Sequence, residues 1–491
     1  MNSFINAMNN IEYTNNGAIS NTSSGSAVID FFFHGAAMRD EPNEQRIINL
    51  FNNAFEENPD YALRILFYIR DVRGGQGERR VFRIILKNFA NNNPDWVVDH
   101  LHLIPEYGRW DDMFELIYNS KISEEVIAFI NKQLTEDVNN MLNKKPCSLL
   151  AKWMPSINTS SAKTRNMASV IINKLHITHK TYRKTLARLR KHIDIVERHI
   201  SNKDYESINY ETVPSKANLK YKKAFIRNDN ERYLEYLNNV NNGTAKINTN
   251  TLYPYEIVNK YRNNSMWYRY DTNDVVPDNT LETLWKNLPD YVDNLNGIVV
   301  ADTSGSMMGR PIDVSISLAI YIAERNKNEA FKNYFISFSR VPKFHKIEGD
   351  TLLEHIHSVI LGDVANTNIQ GVFDLILNRA IQYNVPNEEM PKSILIISDM
   401  EFDYACDNNS KTNFEVIKEK YIQSGYTMPT LVFWNVNSIH NHTPVTINDR
   451  GVVLVSGCSP VIMKYALSSC NSIMSIIKEV VNSSRYSEIK Y

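Results

Sequence analysis

The sequence is short of the features that mark secreted and membrane proteins. It contains four cysteines, none in a C-x-x-C pair, which predicts neither a disulfide framework nor a zinc site and fits a reducing compartment. The segment from Met1 to Ser26 is rich in Asn and Ser and lacks a basic-then-apolar signal pattern. No stretch contains the roughly 18 consecutive apolar residues that a membrane span needs. We therefore expect a cytoplasmic protein without a membrane partner.

The net charge is also close to zero, but the charged residues are unevenly distributed along the chain. The chain carries 54 Lys and Arg against 55 Asp and Glu, a net charge of −1. Residues 160–232 hold 17 basic and 7 acidic residues, a net of +10, so the remainder carries −11. A basic segment in an otherwise acidic protein is a candidate electrostatic footprint for nucleic acid.

The first part of the chain has the apolar spacing of helices. A length of 491 residues exceeds one ordinary core and predicts two or three domains. Up to about residue 290, short segments with helical periodicity follow one another through tight connections. This pattern is typical of a HEAT-like helical-repeat array, although no repeat of fixed period is visible.

From residue 295 onward, predicted strands alternate with predicted helices, which indicates a doubly wound parallel sheet. The predicted fold class is therefore multidomain, α plus α/β. The predicted strands cover 297–302, 332–338, 393–399, 429–435 and 452–456. The predicted domains are a flexible tail over 1–26, a helical-repeat domain over 27–290 and an α/β domain over 295–491.

A run of oxygen ligands follows the first of these strands. The apolar residues 298–301 are succeeded directly by Asp302-x-Ser304-x-Ser306. One carboxylate and two hydroxyls are hard donors that suit Mg²⁺ or Mn²⁺. Open α/β sheets bind their ligands at the carboxyl ends of strands. Taken alone, the pentapeptide is as often a chance strand ending as a site.

Two further elements strengthen the prediction of a metal site. Thr367 precedes an apolar-periodic helix, and Asp399 ends the buried strand predicted at 393–399. In this order the elements resemble the metal-ion-dependent adhesion site of von Willebrand factor A domains. The resemblance implies that Asp302, Ser304, Ser306, Thr367 and Asp399 hold Mg²⁺ or Mn²⁺, and that a protein partner supplies an acidic ligand to the metal.

The surroundings of this predicted site argue against catalysis. No His lies in its three loops, so a poised base is missing and we expect no enzymatic activity. Glu401 and Asp403 are either further metal ligands or, more often, solvated loop carboxylates. The pair His440-x-His442 lacks a third ligand, which favours an ordinary surface loop. Asp111 and Asp112 follow Trp110 at a helix N-terminus, where acids have a structural role.

Basic residues on a helix predicted over 179–200, and in the segment 220–227, are candidate contacts for nucleic acid. Tyr221 and Phe225 interleave with the second group and either stack on bases or belong to the core. The alternative for both groups is a solvated helix face. The candidate residues are Lys180, Arg183, Lys184, Arg188, Arg190, Lys191, Lys220, Lys222, Lys223 and Arg227.

Seven short motifs of the chain lie at 70–79, 107–112, 152–156, 182–186, 213–217, 254–258 and 398–403. Together they resemble an uncharacterised family, domain-of-unknown-function family 2828. That family is similar to the TROVE-domain Ro proteins, which combine HEAT-like helical repeats with a von Willebrand factor A domain and bind structured or misfolded RNA. The resemblance implies a non-enzymatic, Ro-like protein of ribonucleoprotein assembly. The alternatives are an interaction scaffold without nucleic acid and, less favoured, a metal-dependent phosphoesterase.

Overall fold

The computed structural model contains an open six-stranded sheet and a large set of helices. The described residues are 10–118, 120–262, 276–292, 295–338, 340–359, 367–403, 411–466 and 472–491. The strands are β1 (Ile11–Tyr13), β2 (Ile19–Asn21), β3 (Gly297–Asp302), β4 (Tyr334–Phe338), β5 (Lys343–Lys346), β6 (Ser393–Ser398), β7 (Thr430–Asn435) and β8 (Val452–Ser456).

The helices are mostly short and are numbered in chain order. They are α1 (Ala27–His34), α2 (Glu44–Glu57), α3 (Pro59–Arg70), α4 (Arg80–Asn92), α5 (Pro94–Asp99), α6 (Leu103–Tyr107), α7 (Trp110–Met113), α8 (Ser123–Leu142), α9 (Leu150–Trp153), α10 (Ala162–Lys174), α11 (His179–His192), α12 (Val196–Asn202), α13 (Ser215–Asn228), α14 (Asn230–Asn241), α15 (Pro254–Arg262), α16 (Asn279–Lys286), α17 (Arg310–Arg325), α18 (Leu352–Ser358), α19 (Ile369–Tyr383), α20 (Asn413–Gln423), α21 (Met463–Ala466) and α22 (Ile473–Val481). None of these helices combines the length and the apolar character that a membrane crossing requires.

The chain forms two compact units that interleave in sequence. The α/β unit comprises Met1–Ile69, Gly74–Glu78 and Thr249–Tyr491, and the helical unit comprises Arg70–Arg73 and Arg79–Asn248. The predicted change of domain at 290–295 therefore falls inside the α/β unit. Helix α1 belongs to this unit because it packs on strand β8 of the sheet.

The sheet has the strand order β5-β4-β3-β6-β7-β8. Neighbouring strands from β4 to β8 run parallel, and only the β4–β5 pair is antiparallel. Strands β3 and β8 are buried along their whole length, as expected where helices cover both faces of a parallel sheet. The predicted fold class, helices followed by a doubly wound sheet, is confirmed.

Two details differ from the predicted elements. Edge strand β5 was not predicted, because its sequence Lys-Phe-His-Lys is polar and only His345 is buried. The helix predicted over 179–200 divides into α11 and α12. Asp194 lies between them in the left-handed region at φ 51°, which ends one helix and redirects the chain before the next.

Residues 10–26 lie in the stretch predicted to be a flexible tail, and they have defined structure. Strands β1 and β2 pair antiparallel, and the Ser26 side chain caps α1 by accepting from the Ile29 amide. The Asn and Ser side chains that suggested disorder make hydrogen bonds instead, as where Asn10 donates to the Ser23 carbonyl.

Candidate metal centre and basic surface

The predicted metal ligands lie at the point where the sheet changes direction. Strands β3 and β6 are parallel neighbours at the centre of the sheet. From β3 the chain continues to β4 on one side, and from β6 it continues to β7 on the other. A crevice opens at the carboxyl ends of two such strands. Asp302 is the last residue of β3, and Asp399 directly follows β6.

Asp302 is fully buried and held by hydrogen bonds to both of its carboxylate oxygens. The Ser304 amide donates to Oδ1 at 2.9 Å, and the Ser398 hydroxyl donates to Oδ2 at 2.5 Å. Burial and the neighbouring Asp399 raise the pKa of Asp302 above its ordinary value, against these hydrogen bonds. Among the described residues, neither Asp302 nor Asp399 forms an ion pair with Lys or Arg, so no basic side chain balances these two buried carboxylates.

Asp399 has a carboxylate oxygen without a partner among the described residues. Its Oδ1 accepts from the Glu401 amide at 3.2 Å, whereas its Oδ2 is buried and accepts no hydrogen bond from any residue that the structure describes. Burial raises the pKa of Asp399, and the nearby Ser306 hydroxyl opposes that shift. The hydroxyls of Ser304 and Ser306 are 3.2 Å apart. The structure thus brings both carboxylates and both serines together.

Thr367 joins the same edge from the loop before α19. It is fully buried, and its carbonyl accepts from the Asp403 amide at 2.9 Å, in the segment that follows β6. The Asn16 side-chain amide, between β1 and β2, approaches the Thr367 hydroxyl at 3.4 Å and donates to the Glu401 carbonyl at 2.7 Å. The β1–β2 connection therefore contacts a predicted metal ligand.

These residues fit a hard divalent cation. Their donors are two carboxylates and three hydroxyls, all oxygen, which is the set that Mg²⁺ and Mn²⁺ prefer. The unpartnered Asp399 Oδ2 is a buried acceptor that a cation would satisfy. Both Asp302 oxygens already accept hydrogen bonds. Asp302 would therefore contact the metal through a bound water, and Asp399 would be the carboxylate that binds the metal directly.

A second group of side chains lies just beyond this one. Glu401 is 2% exposed, so it is not the solvated carboxylate that the sequence favoured. His440 and His442 lie against it, and one ligand atom from each of the three residues falls within 4.8 Å of the others. The sequence could have indicated this proximity only through the order of its strands. Glu401 follows β6, and the histidines follow β7, which is the next strand in the sheet.

On the helical unit, α11 presents most of its predicted basic residues to solvent. Lys180, Arg183, Lys184, Arg188 and Lys191 are all exposed. The buried residues of α11 are Tyr182, Leu186 and Leu189, on the opposite face. The helix contains no acidic residue. Its solvent face is therefore a continuous strip of positive charge.

Arg190 is the exception on this helix. Its guanidinium donates to the carbonyls of Ala151 and Met154 at 2.8 and 2.7 Å and to the Ser156 hydroxyl at 2.9 Å. By donating these bonds, Arg190 satisfies a carbonyl of α9 and acceptors in the residues just after it. The geometry makes Arg190 a structural residue.

The second predicted group, on α13, is less available for RNA. Phe225 is fully buried in a cluster of aromatic residues, so it cannot stack on a base. Lys220 lies over the Tyr221 ring at 4.8 Å. Lys220, Lys223 and Arg227 are exposed, whereas Lys222 is half-buried. The rings that suggested base stacking belong to the core or its edge.

Comparison with known proteins gives two family matches. The model described as "Domain of unknown function (DUF2828)" matches residues 14–127 and 111–296. The model described as "Domain of unknown function (DUF7788)" matches residues 296–488, which contain the sheet. The two matches together span both groups of candidate residues.

Similar proteins include one viral sequence and one solved structure. "Uncharacterized protein L728" of Acanthamoeba polyphaga mimivirus is 29% identical over 500 aligned positions, covering 94% of this chain and 85% of that protein. The crystal structure of the Deinococcus radiodurans RO (RSR) protein is 14% identical with a TM-score of 0.34, covering 89% of this chain and 92% of that one. The second likeness is remote.

Proposed function

Because this chain belongs to the DUF2828 family, whose description assigns no activity, we propose its function from its surfaces: it is a non-enzymatic RNA-binding protein. The observation that carries the proposal is the solvent face of α11, where five exposed cations occur on a helix without acidic residues. A strip of this kind neutralises several backbone phosphates at once and so favours a polyanion.

The shape of the strip indicates how it binds. Lys180, Lys184, Arg188 and Lys191 follow each other at spacings of three and four residues, so they share one side of α11. Among the residues that the structure describes, none of these four forms an ion pair. Cations that are not committed to protein carboxylates are free to contact phosphates. Such contacts position a nucleic acid without reading its sequence, which suits structured or misfolded RNA.

A charge-reversal experiment tests the proposal. The probe is a labelled RNA hairpin with a single-stranded tail, and its affinity is measured by filter binding over a range of salt. We expect the triple variant Lys184→Glu, Arg188→Glu, Lys191→Glu to bind at least about 100-fold more weakly and to lose about 2 from the slope of log K against log salt.

The matched control reverses three exposed lysines elsewhere on the helical unit, Lys121, Lys132 and Lys144. It changes the net charge by the same amount and should retain most of the affinity. Equal losses in both variants would show a nonspecific charge effect, and no RNA binding by the unaltered protein would refute the proposal.

A second function is favoured by the unpartnered Asp399 Oδ2. We propose that the β3–β6 crevice holds Mg²⁺ or Mn²⁺ through Asp399, Ser304, Ser306 and Thr367, and that an acidic side chain of a protein partner completes the shell. The metal would supply a Lewis-acidic docking point. The protein residues would orient it, with Asp302 fixed by Ser398 and Ser304.

Electron paramagnetic resonance of Mn²⁺ tests this second proposal. Unaltered protein should bind Mn²⁺, and Asp399→Asn should abolish that binding. A short glutamate-rich peptide should broaden or shift the bound signal as its carboxylate enters the shell. Retention of Mn²⁺ binding by Asp399→Asn would place the ion elsewhere, and the absence of any Mn²⁺ binding would refute the docking site.

A further inference from the structure

We call the group formed by Glu401, His440 and His442 the His440 cluster. Its side chains come from segments that follow two neighbouring strands of the sheet. Glu401 follows β6, and the two histidines lie in the loop after β7. Glu401 Oε1 is 3.3 Å from His440 Nδ1 and 3.9 Å from His442 Nε2. The other oxygen, Oε2, accepts from the Asn15 amide at 2.9 Å. This bond leaves Oε1 directed at the two rings.

Two imidazole nitrogens of the cluster that face Glu401 are buried without a hydrogen bond. Among the described residues, His440 Nδ1 and His442 Nε2 have no hydrogen-bond partner, and the His442 side chain is 3% exposed. Leaving a buried polar atom unsatisfied is unfavourable. Two such nitrogens beside one carboxylate oxygen therefore favour a ligand that accepts lone pairs from nitrogen and oxygen together.

One distance in the cluster is that of two atoms bound to the same metal ion. Ligand atoms bound to zinc at about 2.0–2.1 Å in tetrahedral geometry lie about 3.3 Å apart. The 3.3 Å between Glu401 Oε1 and His440 Nδ1 has this value, although the pair lacks the geometry of a hydrogen bond. The distance from Glu401 Oε1 to His442 Nε2 is longer, 3.9 Å, so metal binding would have to draw these two atoms closer.

The loop that carries both histidines is held in place by Arg46. Its guanidinium donates to the carbonyls of Ser438 and Ile439 at 3.0 and 2.8 Å and to the Asn441 side chain at 2.8 Å. Arg46 also forms an ion pair with Glu41, which offsets its charge. The loop is therefore fixed before any ligand binds, and the cation that fixes it is partly neutralised.

Glu12 in β1 completes the arrangement from the other side of His442. Its Oε2 is 3.5 Å from His442 Nδ1. A histidine that binds metal through one nitrogen commonly offers the N–H of the other to a carboxylate, which fixes the ring and its tautomer.

We propose that Glu401, His440 and His442 form a three-ligand site for a divalent transition metal of the zinc class, with Glu12 orienting His442. Two imidazoles and one carboxylate select such ions over Mg²⁺. Three protein ligands leave a fourth position for water or a small ligand. The site is distinct from the β3–β6 crevice in its donors, and it does not rest on either proposed function.

Cobalt binding by the full chain tests the site, because Co²⁺ replaces zinc and its visible absorption reports coordination. The protein is stripped with a chelator and titrated with Co²⁺, and the bound metal is counted by mass spectrometry. With Mg²⁺ in excess to occupy the β3–β6 crevice, we expect one Co²⁺ ion per chain. His442→Ala and Glu401→Gln should lose the visible band, and Glu12→Gln should weaken binding about 10–100-fold.

Two controls separate this site from its surroundings. His179→Ala removes an exposed histidine on the helical unit and should leave the spectrum unchanged. Asp399→Asn should abolish Mn²⁺ binding at the crevice and retain the cobalt band, so the two sites fail independently. If His442→Ala does not fold, the half-exposed His440→Ala gives the same test. An unchanged band in Glu401→Gln and in the His442→Ala or His440→Ala variant, or no Co²⁺ binding by the unaltered protein, would overturn the proposal.

Discussion

The two units of the molecule bury carboxylates in opposite ways. In the helical unit, Asp112 is fully buried and paired on both oxygens: Arg70 approaches Oδ2 at 2.6 Å and Arg83 approaches Oδ1 at 2.6 Å. In the α/β unit, Asp302 and Asp399 are equally buried but face hydroxyls and each other. In the described part of the chain, neither forms an ion pair with Lys or Arg.

This difference distinguishes buried carboxylates that stabilise the fold from those that are candidates for binding a ligand. A buried carboxylate neutralised by arginine has its charge already balanced, so it belongs to the fold. Asp112 also accepts from the Arg109 amide at 2.9 Å and so caps α7. Carboxylates that are desolvated without a cation are costly unless something external supplies the charge. We therefore propose that the two carboxylates of the β3–β6 crevice take their positive charge from a bound cation.

The largest effect should come from breaking the balanced group. Asp112→Asn leaves Arg70, which is 1% exposed, without its carboxylate, and the loss of one member of a buried pair costs about 3–5 kcal/mol. Hydrogen exchange measured by mass spectrometry should show faster exchange in α4 and α7. The control is Asp111→Asn, because Asp111 is 20% exposed and pairs with the same Arg83. It should cost about 1 kcal/mol or less. Equal effects of the two changes would contradict the assignment.

A smaller effect is expected in the crevice, where the loss of a buried carboxylate should not destabilise the protein. Without metal, Asp399→Asn should leave the α/β unit as stable or slightly more stable, because it removes one of two facing carboxylates and breaks no hydrogen bond at Oδ2. At 100 times its Kd, Mg²⁺ should stabilise the unaltered unit by about 2.7 kcal/mol and the variant not at all.

Hydrogen exchange of the segment 297–306, with and without Mg²⁺, measures this stabilisation. Glu388→Gln removes an exposed carboxylate of the same unit and should keep the full response to Mg²⁺. A response that survives in Asp399→Asn would mean that Mg²⁺ acts at another site.

The same contrast explains what the sequence could predict. Asp302 and Asp399 each follow a buried apolar strand, and parallel strands align their carboxyl ends, so the sequence places them at one edge. Their lack of a cation is not visible in the sequence, because it depends on which arginines reach them. Arg190 shows the converse, since helical spacing gives it the same rank as Arg188, yet its guanidinium binds carbonyls of another segment.

For a related reason, the sequence does not predict that the three residues of the His440 cluster meet, or that the β1–β2 connection contacts Thr367. Glu401 is brought to His440 and His442 by the pairing of β6 with β7 and by the path of one loop held by Arg46. Asn16 reaches Thr367 from the opposite end of the chain. Neither contact has a local pattern, because polar residues in loops carry no periodicity. Residues 360–366, which precede Thr367, lie outside the described residues.

The smallest predicted effect concerns His199 and the two acidic side chains beside it in the helical unit. His199 lies between Asp194 and Asp204, with ring nitrogens 2.7 and 3.0 Å from their carboxylates. These two acids raise the pKa of His199 above its ordinary value, although desolvation opposes them. A raised pKa in the folded state means that the charged imidazole stabilises the fold. That stabilisation is complete below the unfolded pKa of about 6.5 and is lost as pH rises through the folded pKa.

We therefore expect the helical unit to be more stable near pH 6 than near pH 8, by less than about 1 kcal/mol because both acids are partly exposed. An NMR titration of the His199 ring gives the folded pKa directly, and hydrogen exchange in α12 at the two pH values gives the stability. His199→Gln should flatten the pH dependence, and Asp194→Asn should reduce it by removing one of the two acids. A His199 pKa at or below the ordinary value would show that burial outweighs the two carboxylates. The balance of charge seen at Asp112 would then not extend to His199.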